Sequence, residues 1–474
     1  MQLTPSPYLE HVHDALRAII DRLSDEFAFV SILGTDVKGK VMSLDSSGMS
    51  LAPSNDEERG FVCRVYGEHG FSEYAFNELS DLDAIADAVR RLASDDRARF
   101  LEHHEALPYD GPPVEEAMER VYRAEVSVLP ESLDTQAIFD TFRTLHDRAR
   151  ERDARIVSLY LGFNWTQVDK IYLSTKKDLR QTYLYSEFIA EAVARDGDDV
   201  KSDYITLSST DVLNDPNVWE ATVDETCRNT LELMTAERIE PGEYDIICDP
   251  DFAGLIAHEA FGHGAEMDMF VKDRAKGREY LGQAVASPHV SMHDGATACL
   301  ENSSYLFDDE GNLGSDTLVI DQGIFRAGMA DQLAAMQLEI PPTGNGKRQF
   351  YNHKAYTRMT NTFFAPGEDS LDDMIASIKF GYLLEGARSG MEDPKNWGIQ
   401  CEATRGREIV DGKLTGKIVS PVYMTGYVPD LLKTMTMVSP DLKLWGGGYC
   451  GKGWKEWVKV SCGGPYIKAR AKLS

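Results

Sequence analysis

At 474 residues the chain is longer than one ordinary core organises, so two or three domains are expected. Apolar residues make up 42% and charged residues 27%, as in globular proteins, and no run is long enough to cross a bilayer as a helix. The 49 basic and 78 acidic residues leave a net charge of −29, which argues against a nucleic-acid surface and favours neutral or basic partners.

Residues 8–23 read as an amphipathic helix, with Leu9, Val12, Leu16, Ile19, Ile20 and Leu23 on one stripe. Before it, Met1-Gln2-Leu3-Thr4-Pro5-Ser6-Pro7 lacks a basic segment followed by an apolar one, so the expectation is no signal peptide and a cytoplasmic location. Strands are expected at 27–33 and 40–44, and a hairpin at 60–66 and 73–76 turning at 67–70. A helix over 81–92 takes Ser80 as its N-cap. Residues 95–130 read as charged and irregular. A long helix lies within 130–152, starting near Ser132. Strands at 155–163, 166–175 and within 179–194, with a turn at Asn164-Trp165, form an antiparallel meander that ends with 204–208. Another helix covers 215–235. His11, His13, His103 and His104 read as solvated side chains rather than ligands.

The composition changes at 236–242. This divides an N-terminal mixed α/β domain, 1–237, from a C-terminal domain, 238–474. A strand over 244–248 and a turn at Asp249-Pro250 lead into an apolar run and a motif. Beyond it come short alternating runs at 285–292 and 304–307. Hairpin signals stand at Asp321-Gln322-Gly323 and Asp411-Gly412, and a helix covers 370–379. Closely spaced hairpins after a lone helix suggest a barrel or sandwich packed on that helix, giving an α+β chain with a β-rich C-terminal half.

The motif is His258-Glu259-Ala260-Phe261-Gly262-His263. Neutral imidazoles are good zinc ligands, and a neighbouring carboxylate can take a proton from water. The familiar zinc-helix pattern spaces its histidines i, i+4, about 40° apart around the axis; here they are i, i+5, about 140° apart. A regular helix would splay them. A widened turn with i→i+5 bonding would bring them together, and Gly262 tolerates the distortion, so the helix is expected to widen or to end there. Glu266 and Asp268 could orient the histidines or form an acidic helix end at the surface.

The seven cysteines are scattered without a CxxC pair, which reads as reduced thiols. Cys450, flanked by glycines and followed two residues on by Lys452, which would lower the thiol pKa, is a candidate third ligand, with Cys462 as its rival. Thr343-Gly344-Asn345-Gly346-Lys347-Arg348 is not a P-loop, since the spacing and the Ser or Thr after the lysine are missing. With Arg358 and Asn361 it either lines a substrate channel or is a surface loop.

These stretches, together with Tyr280-Leu281-Gly282-Gln283, Val285-Ala286-Ser287-Pro288 and Arg358-Met359-Thr360-Asn361-Thr362, resemble the TldD/PmbA family, also called modulators of DNA gyrase, and its metal-bearing TldD-like branch. They occur in family order across 250–465; the N-terminal half fits only in general layout. The resemblance implies a zinc metallopeptidase acting on unfolded peptides, with one zinc per chain held by His258, His263 and Cys450, and Glu259 as general base. It thereby favours Cys450 over Cys462. Glu266, Asp268, Asn345, Arg348, Arg358 and Asn361 are expected to bind substrate or support the ligands. The resemblance also implies a homodimer, or a heterodimer with a metal-free PmbA/TldE-like sister, and a peptide bound extended along a sheet edge. The family's older name suggests a DNA-associated regulator, which fits poorly with the acidic charge. The remaining rivals are a non-catalytic peptide-binding subunit and a metal-dependent amidase. The segment after Lys452 departs from the family pattern through Trp454 and Trp457, which puts substrate range in question.

Overall fold

The computed structural model describes residues 1–68, 70–103, 111–452 and 456–474. Its N-terminal half is built on an eight-stranded sheet whose spine runs Gly70–Phe76, Glu58–Gly67, Phe29–Asp45, Ile156–Ser174, Lys177–Asp196 and Met118–Arg123. Gly48–Pro53 and Asp199–Ser209 pair onto the sides of this path. Several of these strands are far longer than the usual five or six residues.

Alternation explains how such long strands are buried on both sides. Val30, Ile32, Met42 and Leu44 share one face of their strand, and Leu161, Phe163, Ile171 and Leu173 share the same face of the next. Two helix pairs lie side by side on that face. Pro7–Leu23 and Leu82–His103 cover one end; Thr135–Arg152 and Pro216–Leu233 cover the other, where Trp219 stacks on Phe188. The opposite face, with Leu33, Val62 and Tyr172, meets the C-terminal half through Phe307.

The C-terminal half carries a closed barrel of five strands: Phe380–Asp393, Gly242–Cys248, Ile467–Leu473, Val422–Tyr427 and Gly398–Val410, the last pairing back to the first. Beside it lies a six-stranded sheet ordered Ile324–Phe325, Thr317–Asp321, Met292–Asp294, Asn361–Phe364, Glu456–Gly464 and Lys443–Lys452. The helix Pro250–Ile256 is wedged between barrel and sheet and touches both. Gly254 makes this possible, since a Cβ there would stand 2.6 Å from the Gly463 backbone. The α+β class and the barrel on the motif helix are as expected.

Several elements differ from the sequence reading. The strands at 27–33 and 40–44 are one strand, as are 155–163 and 166–175. There is no turn at Asn164-Trp165: Trp165 faces the helix-covered core and Asn164 donates to Glu187. Pairing across the sheet overrides the polar interruptions. The hairpin strand Gly48–Pro53, wholly exposed even at Met49 and Leu51, was not expected. Asp81, not Ser80, accepts from the Ala84 N–H at the helix start, and that helix runs on to His103 through supposedly irregular sequence. Residues 285–291 and 304–307 form no named strand; their apolar side chains pack from loops. The helix expected over 370–379 is only Leu371–Ala376. His13 pairs with Asp178, whereas His104 and Trp454 lie outside the described residues.

The two halves are joined by buried charges. Asp309 pairs with Lys170, and Glu310 with Arg64, while Arg348 binds Glu73 with Nη2 at 2.6 Å. Removing one partner strands the other charge away from water. Arg64→Ala is therefore expected to lower stability by about 3–5 kcal/mol in denaturant titration. A loss below about 1 kcal/mol would mean the pair is solvent-relaxed. Nearby, burial lifts the Glu58 carboxyl from 4.5 to about 7, against the Tyr351 N–H and Lys170. A carboxyl that binds its proton more tightly when folded stabilises below its unfolded pKa and loses that contribution as pH rises through the folded one. Glu58→Gln should thus raise the melting temperature relative to the parent above pH 7 and leave it unchanged near pH 4; parallel curves would refute this.

Candidate metal centre

The motif segment is built as three short pieces in succession. Asp249 caps Pro250–Ile256 by accepting from the Phe252 N–H at 2.8 Å. The chain then widens into a π-turn over Ala257–Gly262 and tightens into a 3₁₀ turn at His263–Ala265. The His263 N–H donates to the His258 carbonyl, an i→i+5 bond. The imidazole centroids come within 5.2 Å, with planes nearly perpendicular. Both alternatives read from the spacing occur: the helix widens, and its π-turn ends at Gly262. A Cβ at Gly262 would meet Met359 Sδ at 2.3 Å, so this packing excludes any larger residue without a shift.

Cys450 comes from the edge strand Lys443–Lys452, which bulges between Trp445 and Gly448. The glycines there allow close packing: Gly446 abuts Asn302 and Gly447 abuts Thr206 of the N-terminal sheet. The donor atoms of His258, His263 and Cys450 all lie within 4.8 Å of one another, the only such group among the described residues. Cys450 Sγ stands 3.5 Å from His263 Nε2. Two donors on a tetrahedral zinc are about 3.5 Å apart, given bonds of about 2.0–2.3 Å. Buried His258 Nδ1 has no hydrogen-bond partner among the described residues. The donor set and its spacing fit zinc.

The electrostatics point the same way. Burial would raise the Cys450 thiol, but His258 and His263 overcome it and hold the pKa near 4, so sulfur is a thiolate, the ligating form. Lys452, expected to act on that thiol, instead binds Glu266 at 3.2 Å and Asp268 at 2.7 Å. Cys462 is pushed upward by burial and the acidic groups around it. Burial would lower the His263 pKa, yet Cys450 and Glu266 raise it well above the ordinary value. Glu259 Oε2 lies 3.9 Å from His263 Nε2, and burial lifts its carboxyl against the pull of both histidines.

The expected supporting residues divide into two groups. Glu266 and Asp268 are buried; Glu266 Oε2 accepts from His263 Nδ1 at 3.1 Å, leaving Nε2 toward Cys450. Arg358 donates to the Cys450 carbonyl and, at 3.2 Å, to that of Glu456, tying the cysteine strand in place. Asn345 reaches the centre only through Arg358, whose carbonyl accepts from its Nδ2 at 2.9 Å, and no bond among the described residues brings Asn361 or Arg348 there. Asn345 donates to Asp294 at 2.7 Å and Asn361 to Ser304 at 3.0 Å, both buried. Arg348 and Lys347 line a cavity of about 90 Å³ with Tyr183, Tyr185, Tyr449 and Lys459. Trp457 is half exposed and pairs with Gly451. Sequence reading missed Glu392, a carboxylate beside Gly264; nothing in its local pattern marks it, because strand pairing brings it there.

A family model described as the PmbA/TldA metallopeptidase C-terminal domain matches residues 241–472. A metalloprotease of Methanocaldococcus jannaschii is 32% identical over 250 residues, 53% of this chain and 54% of that protein. One from Methanothermobacter thermautotrophicus is 30% identical over 283 residues, 59% and 61% of the two chains. The chain thus spans little more than half the length of these relatives. A Synechocystis metalloprotease is 26% identical over 468 residues, 96% of each chain. Two solved structures share the fold. A Thermotoga maritima protein described as a candidate modulator of a DNA gyrase matches with a TM-score of 0.75 at 17% identity, over 98% of this chain and 100% of that one. TldE from Thermococcus kodakarensis matches at 0.73 and 18% identity, over 97% and 100%. By its motif set, its matched family model and its relatives, the chain belongs to the TldD/PmbA family.

Proposed function

We propose that this chain is a zinc-dependent peptidase that hydrolyses unfolded or extended peptides with low sequence selectivity. The observation that carries this reading is a thiolate and two imidazoles gathered at one widened turn, with Glu259 beside them. A relative from Saccharolobus solfataricus bears the name zinc metalloprotease TldD homolog, which supports it. His258, His263 and Cys450 would hold one ion, and three protein ligands is the number found in catalytic zinc sites. Zinc there supplies Lewis acidity, which polarises a scissile carbonyl and brings the pKa of water to about 7.

The chain's own groups do the rest. Glu259, lifted by burial, is a better proton acceptor than an ordinary carboxylate. A proton leaves the attacking water for a Glu259 oxygen, then passes to the amide nitrogen as it departs. Glu266 holds His263 with Nδ1 protonated and Nε2 free to ligate. The cysteine strand ends its sheet, so an extended peptide can add to that edge. Main-chain bonds would then dominate, which suits low selectivity. A dimer, with a second copy or a metal-free sister, and a cytoplasmic location belong to this proposal. So does a division into domains 1–237 and 238–474, supported by sheets that lie wholly within 29–209 and 242–473.

Glu259→Gln should keep its zinc and lose at least about a hundredfold in cleavage of an unfolded peptide. Undiminished cleavage would remove Glu259 from the mechanism. Elemental analysis should find zinc strongly depleted in Cys450→Ser and retained in Cys462→Ser; the reverse pattern would move the ligand to Cys462.

A further inference from the structure

Glu392 lies on the barrel strand Phe380–Asp393, two residues beyond Gly390. Side chains two apart on a strand share a face. This face meets the motif turn: a Cβ on Gly390 would stand 2.4 Å from Glu259 Cγ, and Glu392 Oε1 lies 3.0 Å from where a Cβ of Gly264 would sit. The absence of a side chain at Gly264, next to His263, is what admits the carboxyl group.

Both Glu392 oxygens are buried and neither has a hydrogen-bond partner among the described residues. The Gly264 N–H approaches without closing a bond. Trp397 Nε1, 3.0 Å from the same point, is unpartnered as well. Neighbouring carboxylates are provided for: Glu266 has His263 and Lys452, and Asp268 has Lys452 and Lys272. Buried carboxylates are rarely left without partners, because removal from water is then uncompensated. Glu392 has two acceptor oxygens at the centre that no cation among the described residues is bonded to: burial pushes its carboxyl well above the ordinary range against the pull of His263, and His263 is itself bonded to Glu266.

We propose that Glu392 receives a cationic group of the bound peptide, either its α-ammonium or a lysine or arginine side chain close to the scissile bond, and so gives the enzyme a preference for basic substrates. The proposal rests on the peptidase reading above and adds a substrate class to it. The net charge of −29 works in the same direction at longer range, by raising the local concentration of cationic peptides.

The test uses zinc-loaded Glu259→Gln protein, so that binding is read without cleavage. One fluorescent unfolded peptide is prepared in three forms: N-acetylated with norleucine, the same sequence with a free amine, and N-acetylated with lysine replacing norleucine. Fluorescence anisotropy should show at least one cationic form binding roughly ten- to a hundredfold tighter than the neutral one. Which form gains identifies the α-ammonium or the side chain. Adding Glu392→Gln should erase that gain and change the neutral peptide's affinity by less than about twofold. Equal affinity for all three forms with Glu392 intact overturns the proposal, and no folding defect can mimic that result. A cation preference that survives Glu392→Gln overturns it too. Failure of every form to bind overturns the peptidase reading itself.

Discussion

One hydrogen bond organises this centre: the His263 N–H to the His258 carbonyl, closing a turn one residue wider than an α-helix allows. Without it the two imidazoles would point about 140° apart, and no shared ligand could be held. A widened turn is less favourable than the regular helix it replaces, so surrounding packing must hold it. Phe261 sits edge-on to Phe325 at 5.0 Å, Ala257 and Ala260 are wholly buried, and Met359 fills the space over Gly262. The core of the C-terminal half is thus arranged around a local distortion rather than around a regular element.

The second requirement is to bring in sulfur from nearly 190 positions away. The closed barrel and the adjoining sheet do this by gripping the short motif helix from two sides. Arg358 then reaches across to hold the Cys450 carbonyl, while Glu266, Asp268 and Lys452 form a buried charged group behind His263. The polar groups around the centre therefore do two jobs. They orient the donors, and Glu266 keeps the imidazole in one tautomer, while the two histidines themselves keep the cysteine ionised.

Much of this was legible in the sequence because the signals are local. The stripe of the first helix, the turns at Asp321-Gln322-Gly323 and Asp411-Gly412, and the i, i+5 spacing each declare themselves within a few residues. What was not legible depends on partners distant in the chain. Asn164 looks like a turn residue until Glu187 is placed opposite it. The loop 343–348 looks flexible until Asp294 and Asp308 bind its backbone and side chains. Asp308-Asp309-Glu310 has the residue types of a turn, yet it is buried, with Lys170 and Arg64 of the other half facing it. Glu392 belongs to the same class, since no neighbour in sequence hints at the centre it faces.

The account stands on sulfur from Cys450 and nitrogen from two histidines converging on one ion. Zinc-edge X-ray absorption on the purified protein tests this most directly. The account predicts one sulfur at about 2.3 Å with nitrogen and oxygen neighbours at about 2.0–2.1 Å. A shell of nitrogen and oxygen alone, or one with two sulfurs, would contradict it.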